Sequence, residues 1–250
     1  MVNETLEYRC GCVFSNNRWF PECPRHNEWW TIHIGNNIEL TPEKYKDKGA
    51  YVVNCQDSSK TLSSLKDNSV KLFLTYPMFQ YETLELKQDA LFRLMRTKIK
   101  ERGVLCLMCD LTNLASSMLL LESSGFSVKS IVNVLYDKNT EVLIPNVLVV
   151  ATIRGKKLKC KNTYGRLPKT LYYSGVATAE SFLVKTFTDQ NDLVVDPFCT
   201  NVHTLDGTMH EKRRFLGFCS SNLMFEKLKF YIDKFEANTD AFQFRKPNDT

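Results

Sequence analysis

Residues 65–79 read LKDNSVKLFLTYPMF: a polar turn, a short apolar run from Val70 to Thr75, and a stop at Tyr76–Pro77. The run reads as a strand, and the same alternation of apolar and helical segments extends on both sides of it. Before it come YVVNC and a helical SSKTLSSLKDNS. After it come a helical ELKQDALFRLMRTKIKERG, the strand VLCLMC, a helical LTNLASSMLLLESSG and two strand-like runs, VKSIVNVLY and VLIPNVLVVATI. Gly103 and Gly125 follow the two helices and read as C-caps. Farther on, AESFLVKTFTDQ is helical, DLVVDPF and RRFLGFC are strands, and NLMFEKLKFYIDKF is a last helix. Strands alternating with helices of this length predict an α/β fold with a mainly parallel sheet over residues 50–235. A loop-rich element over 1–49 precedes it, and a polar tail over 236–250 follows.

Composition narrows the classes. The chain has 250 residues, 43% hydrophobic and 24% charged, which suits a packed globular core and excludes a disordered or fibrous chain. No apolar stretch reaches membrane-spanning length, and the start MVNETLEYRCGC lacks a secretory layout, so an intracellular protein is expected. Nine cysteines in such a compartment are thiols or metal ligands rather than disulfides. Cys10, Cys12, Cys23 and His26 form C-x-C-x10-C-x-x-H, two ligand pairs joined by a short loop, as tetrahedral zinc requires. Four protein ligands leave no open position, so the expected zinc is structural. Trp19, Trp29 and Trp30 read as this knuckle's small core or docking surface rather than as base-stacking residues. Cys106 and Cys109 lie in an apolar strand and read as core thiols.

From Ala50 the order of motifs resembles the permuted class of DNA amino-methyltransferases, which modify adenine or cytosine and carry the catalytic motif before the cofactor motif. LKDNSVKLFLTYPMF is similar to that class's run into the catalytic loop, and NDLVVDPFCTNVHTLDGTMHEKRRFLGFC to its cofactor loop, helix and next strand. The resemblance covers about residues 50–235 and implies a Rossmann-like methyltransferase fold, S-adenosylmethionine as cofactor and DNA as partner. It places Tyr76, Pro77, Met78 and Phe79 at the catalytic motif. It places Asp196, Pro197, Phe198, Thr200, Val202, Gly217 and Cys219 at the cofactor motif.

The departures from the family pattern bear on chemistry. Where the family has a short acceptor for the exocyclic amine of a flipped base, this chain has the bulky Tyr76. Phe79 keeps the stacking aromatic, whereas Met78 replaces a proline and loosens the turn. Thr200 and Val202 stand at glycine positions that let backbone approach the cofactor, and a β-branched residue is poorly suited to close approach or to positive φ. Cys219 replaces the acid that grips the cofactor ribose, and a thiol cannot accept two hydroxyl hydrogen bonds.

A basic stretch follows the last of these paired strands: Arg154, Lys156, Lys157, Lys159, Lys161, Arg166 and Lys169, with no acid until Glu180. It reads as a projecting loop or hairpin that contacts nucleic-acid phosphates, double-stranded DNA in the first instance. The sequence thus predicts a DNA-binding methyltransferase-fold protein that has lost methyl transfer. Two alternatives stand beside it: an active but divergent S-adenosylmethionine-dependent enzyme, and a structural subunit with a protein partner or a second copy of itself. S-adenosylmethionine is a cofactor only in the active reading.

Overall fold

The computed structural model describes residues 6–7, 13–15, 18–20, 49–54, 58–77, 85–136, 146–161, 165–173, 179–199, 202–219 and 221–238. The chain divides into two compact units, Met1–Ile38 and Glu39–Thr250. In the first, β1 (Leu6–Glu7), β2 (Val13–Ser15) and β3 (Arg18–Phe20) form an antiparallel sheet in that order, with Phe14 opposite both Leu6 and Trp19. Cys10, Cys12, Cys23 and His26 lie outside the described residues.

The second unit is built on β4 (Ala50–Asn54), β5 (Val70–Thr75), β6 (Ile99–Asp110), β7 (Phe126–Tyr136), β8 (Asn146–Ile153), β9 (Thr170–Tyr173), β10 (Leu193–Asp196) and β11 (Arg214–Cys219). Its helices are α1 (Ser58–Ser63), α2 (Glu85–Lys98), α3 (Leu114–Ser123), α4 (Ala179–Phe187), α5 (His203–His210) and α6 (Asn222–Asn238). The strands form one sheet in the order β4-β11-β10-β5-β6-β8-β7-β9. All neighbours are parallel except β8, which runs against both β6 and β7.

The apolar runs become strands because both faces of the sheet are covered, the condition under which a continuous hydrophobic strand is stable. Residues alternate between two cores. Leu105, Leu107 and Cys109 of β6 join Phe73, Val149 and Val195 on one face. Val104, Cys106 and Met108 join Leu72, Val150 and Val194 on the other. The two thiols of the C-x-x-C therefore point to opposite sides of the sheet, and burial raises the pKa of both.

Two local expectations are corrected. The helix expected to run to Gly103 stops at Lys98, and Ile99–Gly103 open β6 instead. Gly103 is not a cap: a Cβ there would lie 2.5 Å from Ile99 Cγ1 and 3.1 Å from the Lys71 carbonyl oxygen, beside an irregularity in the β5–β6 register. Gly125 does follow its helix with φ +88, the left-handed conformation of a C-terminal stop. The basic stretch is also not a hairpin; its far end enters β9, an edge strand parallel to β7.

Candidate active site

β5 and β10 are neighbours, yet the chain leaves them in opposite directions: from β5 through α2 to β6, and from β10 through α5 to β11. Helices that diverge from adjacent parallel strands open a crevice at the strands' carboxyl ends, which is where open α/β sheets bind ligands. The residues that close those strands are Thr75 and Asp196.

The Thr75 hydroxyl donates to Asp196 Oδ1, and the Phe198 backbone N–H donates to the same oxygen at 3.1 Å. Thr204 of α5 also bonds this carboxyl. Burial at 3% exposure nevertheless dominates these bonds and pushes the Asp196 pKa up to about 6. Ser58, the first residue of α1, donates to the Pro197 carbonyl at 2.7 Å. Asp196 and its loop thus tie β5, β10, α1 and α5 together.

Glu180 is a second carboxyl in this region, and nothing in the sequence singles it out. It is 3% exposed in the first turn of α4. Burial first, then the Asp196 and Asp206 carboxyls, push its pKa up to about 8. Acid in a first helical turn is ordinary helix chemistry and carries no signal of burial. The available clue is Gly207, whose Cβ would lie 2.6 Å from the Ser181 backbone nitrogen, so that only glycine lets α5 approach the start of α4.

Tyr76 leaves β5 half-buried, packs on the core face formed by Leu72 and Leu74, and donates its hydroxyl to Asp110 Oδ1 at 2.9 Å. Asp110 ends β6, so this bond bridges the carboxyl ends of adjacent strands. Pro77 is buried beside it, while Met78 and Phe79 lie outside the described residues.

On the other side of the crevice Cys199 and Cys219 are each 2% exposed and bonded through their thiols. The Cys219 thiol, then burial, then Asp196 hold the Cys199 pKa well above its usual range. The Cys199 backbone N–H donates to the Phe218 carbonyl at 2.9 Å. Gly217 fits this packing closely: a Cβ there would lie 2.7 Å from the Phe215 ring and 3.0 Å from Cys199 Sγ. Val202 has φ −86 and ψ −9, ordinary right-handed backbone, so the valine is accommodated without strain. Thr200 lies outside the described residues.

No sequence-family profile matches the chain, and no curated protein matches it in sequence. Solved structures do match. The crystal structure of M1.HpyAVI superposes with a TM-score of 0.60 at 18% identity, over 73% of this chain and 98% of that one. The DNA modification methylase TTHA0409 of Thermus thermophilus, complexed with S-adenosyl-L-methionine, gives 0.59 at 17% identity, over 74% and 95%. The cytosine-N4-specific PvuII DNA methyltransferase gives 0.57 at 15% identity, over 77% and 94%. The chain has a DNA methyltransferase-like fold.

Within that fold, the described residues do not suit S-adenosylmethionine on the ribose side. The end of β11 offers a thiol buried against a second thiol where paired hydroxyls need a carboxylate. Space beside Gly217 is taken by the Phe215 ring and Cys199 Sγ. Among the described residues no group of three or more His, Cys, Asp or Glu side chains is arranged to hold a metal ion, and no helix is long and apolar enough to cross a membrane.

The basic stretch is divided. Because β8 is antiparallel, its carboxyl end lies where β6 begins, with Thr152 opposite Val104, so Arg154–Lys161 sit at the end of the sheet away from the crevice. Arg154 donates to the Glu122 carbonyl at 2.6 Å, Lys156 pairs with Glu101, and Lys161 pairs with Asp189. Arg166 is exposed in the segment leading to β9. Lys169 lies beside Asn133, in the half of β7 nearer the crevice end, and its carbonyl accepts the Asn133 N–H at 3.1 Å.

Proposed function

We propose that this chain is a methyltransferase-fold protein that holds nucleic acid, duplex DNA in the first instance, and has given up methyl transfer. The observation that carries the reading is the contact between Cys199 and Cys219. It closes the strand ends with two buried thiols where the family pattern calls for glycine-rich backbone and an acid. Tyr76 supports it, since its hydroxyl is committed to Asp110 and its ring to the core. The positive charge of the Arg154–Lys169 stretch supports a phosphate-bearing partner. Cys10, Cys12, Cys23 and His26 are proposed to hold a structural zinc ion outside the chemistry.

The retained Asp196, bonded to Thr75 at the switch point, favours one competing reading. In that reading Tyr76–Phe79 and Asp196 still form a working site, and S-adenosylmethionine is bound as in the TTHA0409 complex. Incubation of the full chain with methyl-labelled S-adenosylmethionine and mixed-sequence duplex DNA separates the two. Our reading expects no label in the DNA above a protein-free control; label that grows with enzyme concentration would establish the active enzyme.

A further inference from the structure

The two ends of the sheet differ in charge. Among the described residues that follow the carboxyl ends of β5, β6, β10 and β11 (Tyr76–Pro77, Leu111–Asn113, Pro197–Cys199, Val202 and Ser221) there is no lysine or arginine. At the opposite end the cations outnumber the acids. Glu101, Asp189 and Asp192 are engaged by Lys156, Lys161 and Lys100, the last at 2.7 Å. Lys71 lies among Lys161 and Lys100. Burial and those two ammonium groups lower its pKa against the pull of Asp192 and Asp189, the sign of a locally positive site. Arg102 lies beside Glu101 in the same cluster.

The segment after β8 presents further charge in an ordered row. Residues 157–161 read KLKCK; Lys157, Lys159 and Lys161 are exposed, while Leu158 and Cys160 pack partly buried against the core. The Lys161 backbone N–H donates to the Thr186 carbonyl at 3.0 Å, fixing the row to the end of α4. No carboxylate among the described residues pairs with Lys157 or Lys159. Two lysines held on an anchored segment, beside acids that are already matched, retain their charge for an external anion.

We propose that this end of the sheet, where β5 and β6 begin and β8 ends, is the face that docks a nucleic-acid phosphate backbone, with Lys157, Lys159, Arg102 and Lys71 meeting phosphates and the crevice left uncovered. The proposal rests on the nucleic-acid reading above and adds its location. A row of lysines without aromatic platforms or an inserted element reads phosphates rather than bases, so binding is strongly salt-dependent and indifferent to sequence.

The test is fluorescence anisotropy of a labelled mixed-sequence duplex with the full chain across a salt series, for wild type, Lys157→Glu/Lys159→Glu and Thr112→Glu. Thr112 is exposed at the crevice end. The double variant is expected to raise Kd at least tenfold, and Lys157→Ala/Lys159→Ala to reduce the slope of log K against log salt by about two, one for each lost phosphate contact. Thr112→Glu is expected to leave both unchanged. Loss of binding in Thr112→Glu with the lysine variants unaffected would move the duplex to the crevice and overturn the location while keeping the nucleic-acid reading. Absence of duplex binding by wild type at low salt would overturn both.

Discussion

The crevice end and the cation end of this sheet handle charge in opposite ways. At the crevice end Asp196 and Glu180 are both buried at 3%, their pKa values raised, their charge suppressed rather than paired with a cation. At the cation end Glu101 and Asp189 are well exposed, ionised, and held below the ordinary carboxylate range chiefly by hydrogen bonds from Lys156 and Lys161. A buried carboxyl specifies packing and costs stability when it ionises. An exposed pair costs little and stabilises little, so its charge is free to serve a partner. The comparison predicts that the fold is sensitive at the crevice end and tolerant at the other.

The largest effect expected is at Gly207. Gly207→Val would drive a branched side chain into the Ser181 backbone, 2.6 Å from the Cβ position, and cost about 3 kcal/mol or more in denaturant unfolding. Full stability in that variant would break the account of the α4–α5 approach.

Glu180→Gln tests the suppressed charge. With a folded pKa of about 8 against 4.5 for the ordinary group, the folded state holds the proton more tightly. The group's contribution is fully present below pH 4.5 and is lost as pH rises towards 8. Gln mimics the protonated acid, so the variant should have a higher Tm than wild type at about pH 8.5, an unchanged Tm near about pH 4, and a weaker fall between them. Equal pH profiles would show that Glu180 is not suppressed.

Thr75→Val removes the hydroxyl donor to Asp196 at nearly constant volume. A loss of about 1–3 kcal/mol is expected, the cost of a buried acceptor deprived of one partner. Glu101→Gln, at the cation end, should change stability by less than about 1 kcal/mol, because both partners are substantially exposed. It should also strengthen duplex binding by releasing Lys156. A cost as large as that of Thr75→Val would erase the distinction between the two ends.

Much of this contrast is legible in the sequence. LKDNSVKLFLTY and DLVVDPF mark adjacent buried strands because a short apolar run bounded by turn residues leaves little else to build, and the order of elements follows from those runs. The alternation K-L-K-C-K at 157–161 is a period-two signal for an anchored, one-sided segment, which a count of total charge does not extract. Ile99–Gly103 is illegible for a different reason: IKERG has good helical composition, and pairing with β5 overrides it. β9 is a four-residue edge strand after Pro168, too short to separate from a loop. The suppressed charge of Glu180 and the contact of Cys199 with Cys219 are products of tertiary approach, which residue type and spacing do not contain.

The most direct test of the central claim is calorimetric titration of the full chain with S-adenosylmethionine, in the absence and presence of duplex DNA. A crevice closed by Cys199 and Cys219 predicts no cofactor heat in either case, together with salt-sensitive heat from the duplex. Micromolar cofactor binding would contradict the account, because it would require the two buried thiols to leave the ribose side open.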